Sequence, residues 1–391
     1  MFSVQSVAAV SDNDGNLTSE SIDLSICDNT GDVSSDEPSN NQADVLSASN
    51  ELDVLGADEA SYSTLSDEIS RGGNVELLHD YYRCYGGEST ISISGDNRII
   101  DGRGAIIDMM GSTIRAFNVV GSGVTIKNLT IKNANSNGNG GAIYFSNSGY
   151  VENCNFTDNK ATSESGGAIW MSSGSVENCN FINNTATNGN GGAIYFSSSG
   201  TTHEVKNCNF IGNNATYYGG AIYFSSSANT QEVRNCNFTN NSARYGGAIE
   251  FDGTGNVTNC NFTDNKATSE SGGAIWMSSG SVENCNFTNN TATNGDGGAI
   301  NMGSGSVTNC NFTGNKATGS DSWGGAIFMY SGSVENCNFT NNTANYGGAV
   351  HIDWGGNIIN CNFTGNKATG SDSWGGAIFM YSGSVENCNF T

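Results

Sequence analysis

The sequence predicts an all-β fold, a right-handed parallel β-helix whose N-terminal end is closed by a short capping helix. Three observations predict it. First, a Gly-Gly pair followed by Ala-Ile or Ala-Val recurs ten times, with the second glycine at Gly141, Gly167, Gly192, Gly220, Gly247, Gly273, Gly298, Gly325, Gly348 and Gly376, in steps of 23 to 28 residues. A period in this range marks stacked units, none of which buries an apolar face alone. Second, within each copy apolar and variable residues alternate with the period of two that belongs to a strand. That excludes leucine-rich, ankyrin and other helical repeats, while a propeller blade needs about 40 residues. Third, 53 of the 391 residues are Gly, one is Pro, and only 13% are charged. This composition suits a thin tube with one inward face better than several globular cores.

Taken in order, residues 1–9 read as the remnant of a secretion signal, because Val7-Ala8-Ala9 has the small-x-small pattern of a cleavage site. Residues 10–60 read as an acidic, disordered spacer. The first 70 residues hold 15 Asp and Glu and no Lys or Arg, and residues 10 to about 58 show no hydrophobic periodicity. Residues 61–137 read as a cap with divergent first rungs. Ser63 is the expected helix cap, followed by Leu65 and Ile69 on one helix face. Short strands are expected within 74–78, 89–94, 98–108 and 114–120. A solenoid needs such a blunt end, since its first rung would otherwise expose an apolar interior and an unpaired strand edge.

Residues 138–391 form the ten-copy repeat region, which stops at Thr391 in mid-repeat and is expected to be truncated there. In Ala274-Ile275-Trp276-Met277, Ile275 and Met277 share one face and Trp276 the other. The first face is apolar in every copy, so it should point inward; the alternate position varies and should point out. A short Ser/Gly turn follows. Then Val282 and Cys285 stand three apart, so both face inward only if the chain bends at Asn284. Asn tolerates the left-handed conformation that such a bend needs. The same bend is expected at Asn153, Asn178, Asn207, Asn235, Asn259, Asn309, Asn336, Asn360 and Asn387, and stacking would bring the ten amides into a ladder. After the bend, Cys285 and Phe287 point in and Asn286 points out. Roughly 13 rungs would make a tube about 60 Å long.

Ten of the twelve cysteines hold one repeat position, from Cys154 to Cys388, with no CxxC or Cys/His cluster to hold zinc. A column of buried thiols is expected; disulfides between neighbouring rungs are the alternative. Cys-Asn-Phe-Thr also makes an Asn-x-Thr sequon at Asn155, Asn237, Asn261, Asn286, Asn311, Asn338, Asn362 and Asn389. Its outward Asn would accept a glycan; otherwise the Thr serves strand propensity and the Asn is simply solvated.

The net charge of -24, with no basic stripe, excludes nucleic-acid binding through the phosphate backbone. No stretch reaches the roughly 18 apolar residues of a membrane helix. No catalytic, metal or cofactor site is expected. Glu250/Asp252 and His351/Asp353 are read as solvated surface pairs four rungs apart, and His79, His203 and His351 are scattered. A polysaccharide lyase or hydrolase built on Glu250 and Asp252, and a purely structural envelope stalk, are the alternatives to a binding protein. The variable outward position is aromatic at Tyr144, Trp170, Tyr195, Tyr223, Trp276, Phe328 and Phe379, a candidate ligand-binding face.

Gly-Gly-Ala-Ile followed by Phe-x-x-Asn (Phe156 to Asn159, Phe287 to Asn290) resembles the repeats of chlamydial polymorphic membrane proteins. The layout of residues 61–391 more closely resembles adhesin-like surface proteins of methanogenic archaea, through Ile99-Ile100-Asp101-Gly102 and the rung from Val124 to Ile131. The resemblance implies a secreted, extracellular cell-surface adhesin of an anaerobe; the aromatic face leads to glycans or surface proteins of other cells as its expected partners. Near-perfect duplications accord with this. Residues 309–340 recur unchanged as 360–391, and 153–181 as 259–287. Such copying lengthens a solenoid without altering its cross-section.

Overall fold

A computed structural model describes residues 9–11, 17–19, 58–197, 202–225 and 230–391. In the first unit, Ala9–Ser11 pairs antiparallel with Leu17–Ser19. The rest of the expected signal remnant and spacer lies outside the described residues.

The second unit is a parallel β-helix of about 13 turns. Among the described residues, three parallel sheets of 18, 14 and ten strands run along it. A representative rung contributes Ile275–Glu283 to the first sheet, Asn286–Thr288 to the second and Thr291–Thr293 to the third. Each pairs in register with its counterpart one turn away, as Phe287 does with Phe262 and Phe312.

The Ser/Gly segment, read above as a turn, is instead a kink inside one long strand. At Gly280 φ is 136°, and a Cβ there would lie 1.9 Å from the Gly255 carbonyl oxygen. Only glycine permits both that φ and that approach, so the two halves of the strand stay in one sheet.

Two left-handed corners follow. All ten asparagines from Asn153 to Asn387 named above have φ between 53° and 56°. Their amides form only part of a ladder: Asn235 donates to Asn207 at 3.1 Å and Asn259 to Asn235 at 3.2 Å, whereas Asn284 turns to its neighbour Glu283. The second corner falls five residues later, at Asn289 with φ 56°. It turns Asn290 inward and starts a buried ladder that the sequence reading missed. The Asn290 amide nitrogen donates to Phe262 O and to Asn315 Oδ1, both at 3.0 Å. Its Oδ1 accepts Asn265 N and Asn265 Nδ2, again at 3.0 Å. The same bonding joins Asn159, Asn184, Asn213, Asn241, Asn265, Asn290, Asn315, Asn342 and Asn366.

Ile275, Met277, Val282, Cys285 and Phe287 are fully buried, and the Phe rings stack 4.8 Å apart from Phe238 through Phe312. That separation is the strand spacing itself. The repeat cysteines are unpaired thiols. From Cys179 onward each Sγ takes a backbone N–H from the cysteine one rung back, as Cys285 Sγ does from Cys260 N at 3.4 Å; the Cys285 S–H points at the Glu283 carbonyl, 3.1 Å away.

Helix α1 (Tyr62–Ser70) caps the tube, with Leu65 and Ile69 buried as expected. Its N-cap is Ser61 rather than Ser63: the Ser61 hydroxyl accepts Thr64 N at 3.2 Å, so the helix starts two residues earlier. Buried Glu68 takes hydrogen bonds from Tyr82 Oη at 2.8 Å and Leu78 N at 3.1 Å.

Candidate binding face

The outward position of the first sheet forms an unbroken column. Strand register places Tyr144, Trp170, Tyr195, Tyr223, Glu250, Trp276, Asn301, Phe328, His351 and Phe379 side by side, one per rung. At its N-terminal end four rings stack. Tyr144 lies 4.6 Å from Trp170, Trp170 lies 6.0 Å from Tyr195, and Tyr195 lies 5.1 Å from Tyr223.

This stacking corrects the picture of solvated outward residues. Neighbouring rings cover one another's faces, so Tyr144, Trp170, Tyr195 and Phe379 are half-buried while Tyr223 and Phe328 are buried; Trp276 is half-buried without a ring neighbour. The stack therefore presents ring edges and hydroxyls rather than broad faces. Trp276 stands apart from both ring clusters, between Glu250 and Asn301. A second cluster gathers Trp323, Phe328, His351 and Phe379, with His351 5.2 Å from the Phe328 ring and parallel to it.

Glu250 and His351, expected in water, are also not solvated, whereas Asp252 is exposed as expected. Glu250 is 5% exposed, and burial, followed by the nearby Asp252 charge, holds its carboxyl well above the usual carboxylate range. Asp252 accepts a 3.4 Å hydrogen bond from Tyr223 Oη. Burial raises the Tyr223 phenol, with Asp252 and Glu250 adding to the effect. His351 is fully buried, and desolvation lowers its pKa to about 4 although Asp353 Oδ1 lies 3.7 Å away. His203 is buried against Phe196 at 4.8 Å, and His79 pairs with Asp58 at 2.8 Å beside the cap. The three histidines thus remain in separate surroundings.

Four well-exposed rings stand beside the column, outside its ten register positions. Trp354 is 78% exposed, Tyr381 61%, Trp374 59% and Tyr330 46%. Tyr330 and Tyr381 share the outward parity of Phe328 and Phe379 two residues before them, while Trp354 lies in a kinked strand and Trp374 in a loop. Trp354 sits 5.9 Å from Tyr330, and Tyr381 sits 5.1 Å from Phe379.

The sequon asparagines lie on the second sheet, away from this column. Asn155, Asn237, Asn261, Asn286, Asn311, Asn338, Asn362 and Asn389 are exposed. From Asn180 to Asn362 each amide nitrogen donates to the side-chain oxygen one rung back, at 2.8–2.9 Å.

The family model described as the right handed beta helix region matches residues 74–231 and 220–391, most of the chain. The chain belongs to the right-handed β-helix family. Among curated proteins none matches it. In this β-helix the family match covers the divergent rungs from residue 74 onward together with the ten regular copies. It fixes the handedness of the coil and says nothing about what the outer column touches. Among the described residues no helix is long and apolar enough to cross a membrane.

Proposed function

We propose that this β-helix is a secreted, non-catalytic, adhesin-like protein of the cell surface, holding glycans or surface proteins of other cells along the outer column of its first sheet. The observation that carries this reading is the column itself: register-matched side chains on ten successive rungs, seven of them aromatic. Ring edges and tyrosine hydroxyls along the stack offer apolar contact and hydrogen bonds at a fixed repeat, and Trp354 and Trp374 add open faces on which a sugar ring would lie. Each contact is weak alone; many in series along a rigid tube make a strong one. The unchanged duplications add rungs, and hence contacts, without altering the column.

A glycan array probed with the whole chain tests this. Replacing Trp170, Tyr195 and Tyr223 together with Ser should weaken whatever binds, and Trp354→Ser should weaken it separately. Undiminished binding by both variants would refute the assignment. A polysaccharide lyase or hydrolase is the second reading, favoured by one observation: Glu250 is buried and held towards its protonated form beside Asp252, as a general acid would be. Cleavage of a polysaccharide that is lost in Glu250→Gln would establish it in place of the first.

A further inference from the structure

One rung before the first ring of the column, a cleft of about 350 Å³ opens between the cap and the repeats, lined by Thr90, Thr113, Arg115, Asn118, Ser136 and Gly138 among others. Asn118 pairs in register with Tyr144, so the cleft continues the column directly.

Arg115 is the unusual member. Its guanidinium lies 5.1 Å from the centre of the Tyr144 ring and is half-buried, and loss of water lowers its pKa. Among the described residues it has neither a carboxylate partner nor a hydrogen bond. Arg71 and Arg103 are exposed to water, and three other arginines are paired: Arg83 with Glu59 at 3.0 Å, Arg244 with Glu270 at 2.9 Å, and Arg234 with Glu204. Buried Arg98 donates to the carbonyls of Ile69 and Gly73 at 2.7 Å and of Ser94 at 3.1 Å. Gly138 makes room for Arg115, because a Cβ at that position would lie 2.6 Å from Arg115 Nη2.

A guanidinium held partly out of water and left unpaired in a chain of net charge -24 is satisfied by an anion from outside. Its planar fork matches a carboxylate in two parallel hydrogen bonds. No second cation lines the cleft, which favours a single negative charge over a phosphate. The remaining polar wall consists of hydroxyls and amides, the partners that sugar hydroxyls take.

We propose that this cleft binds a sugar acid, the carboxylate-bearing residue of an acidic glycan, its carboxylate on Arg115 and its hydroxyls on Thr90, Thr113, Asn118 and Ser136, while the rest of the glycan runs past Tyr144 and Trp170. The proposal rests on the glycan-binding reading of the column and names the chemistry at one end of it.

Ligand-observed NMR on the full chain tests it with D-glucuronate, D-glucose and acetate as probes and a neutral tetrasaccharide, maltotetraose, as control. Glucuronate should bind about tenfold or more tighter than glucose or acetate, and added salt should weaken it. Arg115→Gln and Gly138→Val should each abolish that preference, and Arg115→Lys should keep only part of it, with thermal unfolding of the variants compared to establish that they fold. Glucuronate held equally by wild type and Arg115→Gln, or not held at about 50 mM, would overturn the proposal. Acetate bound as tightly as glucuronate would overturn the sugar assignment. Maltotetraose binding lost in Trp170→Ser, beside glucuronate indifferent to Arg115, would leave the column standing and refute the cleft; the reverse pattern would do the opposite.

Discussion

Replacing Asn290 with Ala should be the most damaging polar substitution on the tube. The Asn290 side chain donates to Phe262 O and Asn315 Oδ1 and accepts Asn265 N and Asn265 Nδ2, all at 3.0 Å. Three of those four partners keep another bond after truncation. Asn315 Oδ1 still accepts Asn290 N, and Asn265 Nδ2 still donates to Phe238 O. The Phe262 carbonyl loses one of two bonds but stays in its strand ladder, whereas the Asn265 backbone N–H is stranded, inside a site where Asn290 itself is fully buried. A stranded buried group costs about 1–3 kcal/mol and a lost second bond about 1 kcal/mol, so Asn290→Ala should cost about 2–4 kcal/mol. Asn284→Ala is the internal control. Asn284 is exposed and its amide reaches only Glu283 at 3.4 Å, so what it loses is its tolerance of φ 54°, worth about 1–2 kcal/mol. Urea unfolding of both variants, with amide exchange to localise the loss, would measure the difference. If Asn290→Ala unfolds at the same urea concentration as Asn284→Ala, or if its weakened amides lie far from the flanking rungs, the ladder account is wrong.

Phe287→Ala should cost about 3–5 kcal/mol in the same urea assay, because the ring lies 4.8 Å from Phe262 on one side and from Phe312 on the other. Asp296 carries a carboxyl that burial raises to about 6, against the 3.8 of an open chain. The folded form therefore holds the proton more tightly, and stability should fall by up to roughly 2–3 kcal/mol as pH rises from about 4 to 6. Asp296→Asn should flatten that slope in thermal melts taken across the interval. Glu250→Gln should raise the melting temperature at pH 8, where the buried carboxyl is otherwise forced towards its charged form.

Much of the tube could be read from alternation alone. Ile275 and Met277 inward, Trp276 outward and a corner at Asn284 all follow from residue spacing and from the conformational tolerance of Asn. Parity fails after a second corner, however. Asn290 closes the Phe-x-x-Asn motif, but its inward turn depends on the left-handed Asn289 just before it, which alternation does not show. Nor does parity say how deeply an outward residue lies. Glu250 was expected in water, but it is buried in a column position between Tyr223 and Trp276 on the rungs either side of it. The cleft at Arg115 was equally hidden, since Thr90, Arg115 and Gly138 belong to three different turns.

The kinked strand and two corners of every rung leave the backbone hydrogen bonds pointing along the tube. A pull applied to its two ends would therefore act along those bonds and peel one turn at a time, rather than shearing many strands at once. Each released turn would pay out 23 to 28 residues of slack chain, about 80–100 Å of new length at full extension. Such a tether would lengthen in steps under load, holding its grip through the turns still closed.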